Sequence, residues 1–101
     1  MKNAERQRAV PMKAFPESPG YTVAFGERSN EVILIQVMLD TLKLFYDGFD
    51  GVTVGGFFDE ATEKAVSDFQ RISGIDETGR VDVITWNAIA TEYNNTVYED
   101  G

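Results

Sequence analysis

Gly56-Phe57-Phe58-Asp59-Glu60-Ala61-Thr62-Glu63-Lys64-Ala65-Val66 is answered 23 residues later by Gly79-Arg80-Val81-Asp82-Val83-Ile84-Thr85-Trp86-Asn87-Ala88-Ile89. Both stretches read Gly, any residue, Phe or Val, Asp, two residues, Thr, two residues, Ala, then Val or Ile, without a gap. Each step carries a physical instruction. Gly tolerates positive φ in a tight turn, and the apolar residue two places on points inward. Asp then accepts hydrogen bonds from the free N–H groups of a starting helix, and its charge suits the positive end of the helix dipole. Thr62 and Thr85 fall at the third helical position, where a hydroxyl can reach back to the cap. The pair predicts two turn-into-helix entries of one geometry.

Outward from this repeat, the segment before it predicts a further helix. Ser29 or Asn30 is a suitable N-cap for a helix running to about Phe45. Val32, Ile35, Leu39 and Leu42 form one stripe, and Ile33, Leu34, Val37 and Met38 widen the apolar surface almost all round, which predicts a central, enclosed helix. The second helix is expected from about Glu60 to Ser73, with Ala61, Ala65, Val66, Phe69 and Ile72 inward. Gly74 stops it and Ile75 folds back on its last turn. The third is expected from about Val83 to Tyr93, ended by Asn94-Asn95. Ahead of all three, Tyr21, Val23 and Phe25 alternate with Thr22 and Ala24, a short extended arm able to lay one side on a core. The fold class is therefore all-α, a compact three-helix bundle with an extended N-terminal arm. Residues 1–25, which carry all three prolines, are expected to be linker and arm, 26–95 the domain, and 96–101 a frayed tail.

Composition narrows the chemistry. The 101-residue chain is of single-domain size. It has no cysteine and no histidine, which excludes disulfides, thiolate zinc sites, a cysteine nucleophile and the usual general base. Asp47 and Asp50 lie three apart, with Phe58 where a calcium loop beginning at Asp47 would need its closing Glu, so no metal or cofactor is expected. Paired acids such as Asp59-Glu60 or Asp76-Glu77 would need a cleft between them for glycosidase work, and a bundle this small offers little room; no catalytic residue is assigned. The net charge of −8 is uneven: residues 29–101 hold four Lys/Arg against fourteen Asp/Glu. Such acidity repels phosphate backbones and anionic lipid, which argues against nucleic-acid and membrane partners. No run approaches the ~20 apolar residues needed to span a bilayer. Met1 to Val10 lack the apolar core of a signal peptide, so the expectation is a piece of a longer exported protein or another route out of the cytoplasm.

The ordered residues Val32, Ile35-Gln36, Leu39, then Gly56, Phe58, Thr62, Ala65-Val66, Phe69-Gln70, Gly74-Ile75, Gly79, Val81 and Thr85-Trp86 resemble the type-1 peptidoglycan-binding domain of bacterial cell-wall hydrolases. The resemblance covers roughly residues 26–93. Two departures stand out: Gly55 replaces the family's Asp, and Asp59 and Asp82 stand where it has Gly. Asp improves the helix cap, so the turns are expected to persist. What the resemblance implies is a three-helix fold and a non-catalytic role, in the cell wall or outside the cell, holding a hydrolase on glycan strands or stem peptides, as a monomer. An alternative is a protein-docking module of a spore coat, phage particle or secretion assembly built on the same bundle.

Six residues are candidates for ligand contact. Phe57, between Gly56 and inward Phe58, is expected to point out. Its counterpart Arg80 suits stem-peptide carboxylates. Gln70 and Arg71 near the second helix's end suit sugar hydroxyls or acetamido groups, although loop capping is the commoner use of such an amide. Trp86 can stack on a sugar or fill the core. Gln36 can face a groove or satisfy a neighbouring loop backbone.

Overall fold

The computed structural model describes residues 16–98. Three helices form the bundle: α1 (Asn30–Leu42), α2 (Glu60–Ser73) and α3 (Val83–Tyr98). No β-strand occurs among the described residues, only two isolated bridges. The expected linker as far as residue 15, and the last three residues of the expected tail, lie outside the described residues.

The helix starts follow from their caps. Ser29, in extended backbone, accepts from the Val32 N–H to begin α1. Asp59 Oδ1 accepts from both the N–H (2.9 Å) and the hydroxyl (2.7 Å) of Thr62 to begin α2. Asp82 Oδ1 accepts from the Thr85 N–H at 2.8 Å to begin α3. Gly74 closes α2 in the left-handed region, and the Ile75 N–H reaches back to the Gln70 carbonyl at 2.9 Å, so the last carbonyls are satisfied by the turn itself.

Val32, Ile35, Met38, Leu39 and Leu42 of α1 meet Val66 and Phe69 of α2 and Trp86, Ile89 and Ala90 of α3 in the core. α1 packs mainly against α3. It ends at Leu42 rather than near Phe45 because its last turn tightens: Phe45 and Tyr46 N–H groups both return to the Leu42 carbonyl. The chain then reverses through Gly48 and Phe49, the latter in the left-handed region at φ 65°. Left-handed backbone costs a residue with a Cβ about 1–2 kcal/mol; burying the Phe49 ring returns about 1.5–3 kcal/mol, so the reversal is sustained by the plug it inserts.

Several expectations are corrected. α1 is not enclosed all round, since Ile33 and Leu34 remain partly exposed. Ile72 is 50% exposed rather than inward; it lies in the last turn of α2, beyond Phe69, and edges a surface hollow. α3 runs past Asn94-Asn95 to Tyr98, because Asn94 and Thr96 turn their side-chain donors onto the carbonyls of Ala90 and Tyr93 instead of competing for a turn. In the arm, only Val23 enters the core, while Tyr21 and Phe25 are exposed. Alternation fails there because regular pairing lasts one residue: Val23 exchanges two backbone hydrogen bonds with Val81, and the chain turns at once through Gly26.

Candidate ligand-binding site

The two repeated turns are built by one device, and its centre is a buried glutamine. Gln36, on α1, donates from Nε2 to the Phe57 carbonyl (2.8 Å) and to Thr62 Oγ1 (3.0 Å). Its Oε1 accepts from the Gly55 and Gly56 N–H groups at 3.0 and 2.8 Å. Gln70, on α2, repeats this one helix later. It donates to the Arg80 carbonyl (2.9 Å), Thr85 Oγ1 (3.0 Å) and Thr78 Oγ1 (3.1 Å), and accepts from the Gly79 N–H at 2.9 Å. Each glutamine therefore holds the glycine, the carbonyl of the next residue and the capping threonine of the turn that follows. Gly56 and Gly79 take φ of 89° and 77°, and a Cβ on either would press to 3.1–3.2 Å on Glu63 or Ile33.

Residues 23–28 tie both turns together. Val23 bridges to Val81 in the second turn, and Arg28 bridges to Phe57 in the first. The Phe58 N–H donates to the Glu27 carbonyl at 2.8 Å and the Gly26 N–H to the Phe58 carbonyl at 2.9 Å. The arm thus aligns the turns along one edge of the bundle.

What this edge presents outward is short and mixed. Phe57 is 38% exposed, with the Arg28 guanidinium 4.9 Å from its ring centroid. Arg80 is exposed at the equivalent place in the second turn. Its N–H donates to Thr78 Oγ1 at 3.1 Å, and Thr78 in turn lines a hollow of about 300 Å³ shared with Ile75, Asp76, Asp82, Ile84 and Thr85. A second hollow of about 220 Å³ lies beside the last turn of α2, between Tyr46, Phe49, Phe69, Ile72, Ser73 and Glu92, with the Tyr46 hydroxyl on Glu92.

The six candidates separate accordingly. Phe57, Arg71 and Arg80 are at the surface. Gln36, Gln70 and Trp86 are buried, in the loop-satisfying and core roles that were the alternatives for them: the amides are used up by the turns, and the indole N–H donates to the Pro16 carbonyl at 2.8 Å. Arg71 is committed as well, to Asp68 (3.0 Å) and Glu77 (3.2 Å). Burial pushes the Asp68 carboxyl up, but hydrogen bonds from Lys64 and Arg71 outweigh it and hold the group below its ordinary value. The Thr62 hydroxyl and then its N–H do the same for Asp59. Sequence reasoning missed Arg28, Thr78 and Ile84. Arg28 precedes the N-cap of α1 and carries no motif, so only its bridge to Phe57 reveals it; Thr78 lies two places before Arg80 in the turn.

Among the described residues no helix is long and apolar enough to cross a membrane, and no cluster of acidic groups has the makings of a metal site.

A family model described as a putative peptidoglycan binding domain matches residues 28–89, which span all of α1 and α2, both turns and the start of α3. Solved structures share the fold, among them the following two. One, a peptidoglycan-binding protein from Clostridioides difficile in complex with glutamine hydroxamate, is 26% identical with a TM-score of 0.66 over 78% of this chain. This chain spans 46% of that protein. The other, the SleB N-terminal domain, is 25% identical with a TM-score of 0.64, over 76% of this chain and 97% of that domain. No curated protein matches. With both turns, the two glutamines and the indole all inside the matched span, the chain belongs to the putative peptidoglycan-binding domain family.

Proposed function

We propose that this chain is a non-catalytic module that holds an attached or partner hydrolase on the peptidoglycan of a bacterial cell wall, acting as a monomer. Peptidoglycan binding is the coarse function its family carries. The observation that supports placing it here is the polar-rimmed hollow beside the second repeated turn, with Thr78 and Thr85 in its wall and the Arg80 N–H bonded to Thr78. Phe57, Arg80 and Arg71 are the surface members of the contact set. A shallow site of this kind binds weakly alone, and a repeating polymer supplies avidity. The non-catalytic part is supported by how the acids are used: Asp59 and Asp82 cap helices and Asp68 joins two cations.

Co-sedimentation with purified sacculi tests the reading. Pelleting of the folded chain at low and moderate salt is expected; failure to pellet at both overturns it. Loss of turbidity from a wall suspension treated with this chain alone overturns the non-catalytic part. A second reading, a protein-docking module, is favoured by the surface charge, since a wall polymer is itself anionic and the described residues carry five cations against fourteen carboxylates. The same sedimentation separates the two.

A further inference from the structure

We infer that Arg28, acting with Phe57, and Arg80 form a pair of carboxylate-reading positions, so that the module grips peptidoglycan by free carboxylates of its stem peptides rather than by neutral sugar surface. This rests on the peptidoglycan reading above and deepens it.

The argument starts from the partners of the cations. Of the five among the described residues, Lys43 pairs with Asp40 at 2.9 Å, Lys64 with Asp68 at 3.0 Å, and Arg71 with Asp68 and Glu77. Arg28 and Arg80 have no carboxylate partner among the described residues, although these include fourteen carboxylates. Both sit on the repeated turns. Arg80 follows Gly79 as Phe57 follows Gly56, and Arg28 is bridged to Phe57 across the arm.

Both positions are also held from behind. Gln36 fixes the Phe57 carbonyl, while Gln70 fixes the Arg80 carbonyl and Thr78 its N–H. The Phe57 ring supports the Arg28 guanidinium, whose N–H donors have no oxygen partner among the described residues. A planar guanidinium laid against an aromatic ring loses less freedom on meeting a carboxylate than a free one does. The two turns are joined by the five steps from Val23 to Arg28, a span of at most about 18 Å, so one branched peptide-bearing polymer can reach both.

Phosphate polymers of the wall share the anionic chemistry, so the test begins with sacculi freed of them. Half of the preparation then has its remaining carboxylates converted to neutral amides. Sedimentation is measured for the unaltered chain, Arg28→Gln, Arg28→Lys, Arg80→Gln and, as a charge-matched control remote from both turns in sequence, Lys43→Gln. The unaltered chain is expected to pellet with the untreated half and to lose about tenfold to a hundredfold in affinity on the amidated half, the range of charged hydrogen-bonded contacts. Bulk electrostatics predicts the opposite, because amidation removes repulsion between an acidic protein and an acidic wall. Arg28→Gln and Arg80→Gln are expected to lose about tenfold each on untreated sacculi, Arg28→Lys to fall between, and Lys43→Gln to bind as the unaltered chain, all with unfolding midpoints unchanged. Equal binding to both halves, or arginine variants that bind normally, overturns the carboxylate assignment and leaves peptidoglycan recognition standing. Binding lost when the phosphate polymers are removed, before amidation, also overturns it. Failure to pellet with either form of sacculi overturns both readings together.

Discussion

Replacing Gln36 by leucine tests the glutamine device most directly, because leucine keeps the bulk and removes every polar contact. Four hydrogen bonds are lost, to the Phe57 carbonyl, Thr62 Oγ1, and the Gly55 and Gly56 N–H groups. They are not equally costly. Gly55 is exposed and water replaces its partner, and the Thr62 hydroxyl keeps Asp59. The buried Gly56 N–H and the Phe57 carbonyl are left without partners among the described residues. At about 1–3 kcal/mol for each of the two orphaned groups, the expected loss is about 2–6 kcal/mol, a large share of the ~5–15 kcal/mol that holds a typical domain folded. At ~4–8 °C per kcal/mol the melting temperature falls by at least about 8 °C. Gln70→Leu is expected to be milder, because the Arg80 carbonyl retains a second donor in the Thr78 hydroxyl at 3.2 Å. Urea unfolding followed by far-ultraviolet circular dichroism and by the fluorescence of the single tryptophan, Trp86, measures both. A Gln36→Leu chain within about 1 kcal/mol of the unaltered one, or less affected than Gln70→Leu, refutes the reasoning.

Three further outcomes follow from the same geometry. Gly79→Ala and Gly56→Ala combine left-handed backbone with close contacts to Glu63 and Ile33, so each is expected to cost more than the about 1–2 kcal/mol of backbone alone. Gly26→Ala, with the same backbone and nothing within 4 Å, should cost only that, and denaturant midpoints give the order. Asp59 and Asp68 are held below their ordinary carboxylate values in the folded state. Their contribution is therefore fully present above the unfolded value near 3.8 and is lost as pH falls through the lower folded values. Melting temperature against pH should be flat from near neutral down to about 5 and fall below about 4, and Asp59→Asn should flatten part of that fall. Trp86→Ala should cost about 3–5 kcal/mol as a core truncation, whereas Trp86→Phe should retain most of the packing and lose chiefly the bond to Pro16, read as a smaller drop in melting temperature.

The repeat was legible because each of its parts acts locally. Asp59 and Asp82 cap helices within three residues of themselves, and Gly56, Gly74 and Gly79 take the left-handed backbone their places in the turns require. Sequence also placed α2 to the residue, since its start and stop are both chemical signals. What it misplaced depends on contacts distant along the chain. Ile72 keeps the helical spacing of an inward residue, yet the core has ended before the last turn of α2 is reached. The Asn94-Asn95 pair looks like a stop, yet Asn94 in place donates to Ala90 and helps α3 continue. The site divides in the same way. Phe57 and Arg80 were visible from their position after each glycine. The inward glutamine Gln36 and the Arg28–Phe57 contact join residues 19 or more apart in the first turn, and no periodicity encodes such a pairing.

The separation between buried glutamine and exposed neighbour bears on how such a module can vary. In both turns the residue after the glycine is held through its carbonyl, a group every amino acid shares, while its side chain makes no hydrogen bond among the described residues. Stability therefore depends on the backbone at that position, and under the proposed reading recognition depends on the side chain. One chain exploits this already, with Phe at one turn and Arg at the other on matching backbones. Exchanging them, Phe57→Arg with Arg80→Phe, should consequently leave the unfolding free energy within about 0.5 kcal/mol for each substitution, as at surface sites generally, while separating the Arg28 cation from its ring and changing what the edge binds. A large loss of stability in that double variant would mean the two side chains also support the turns they sit on, and recognition could not then change without the fold.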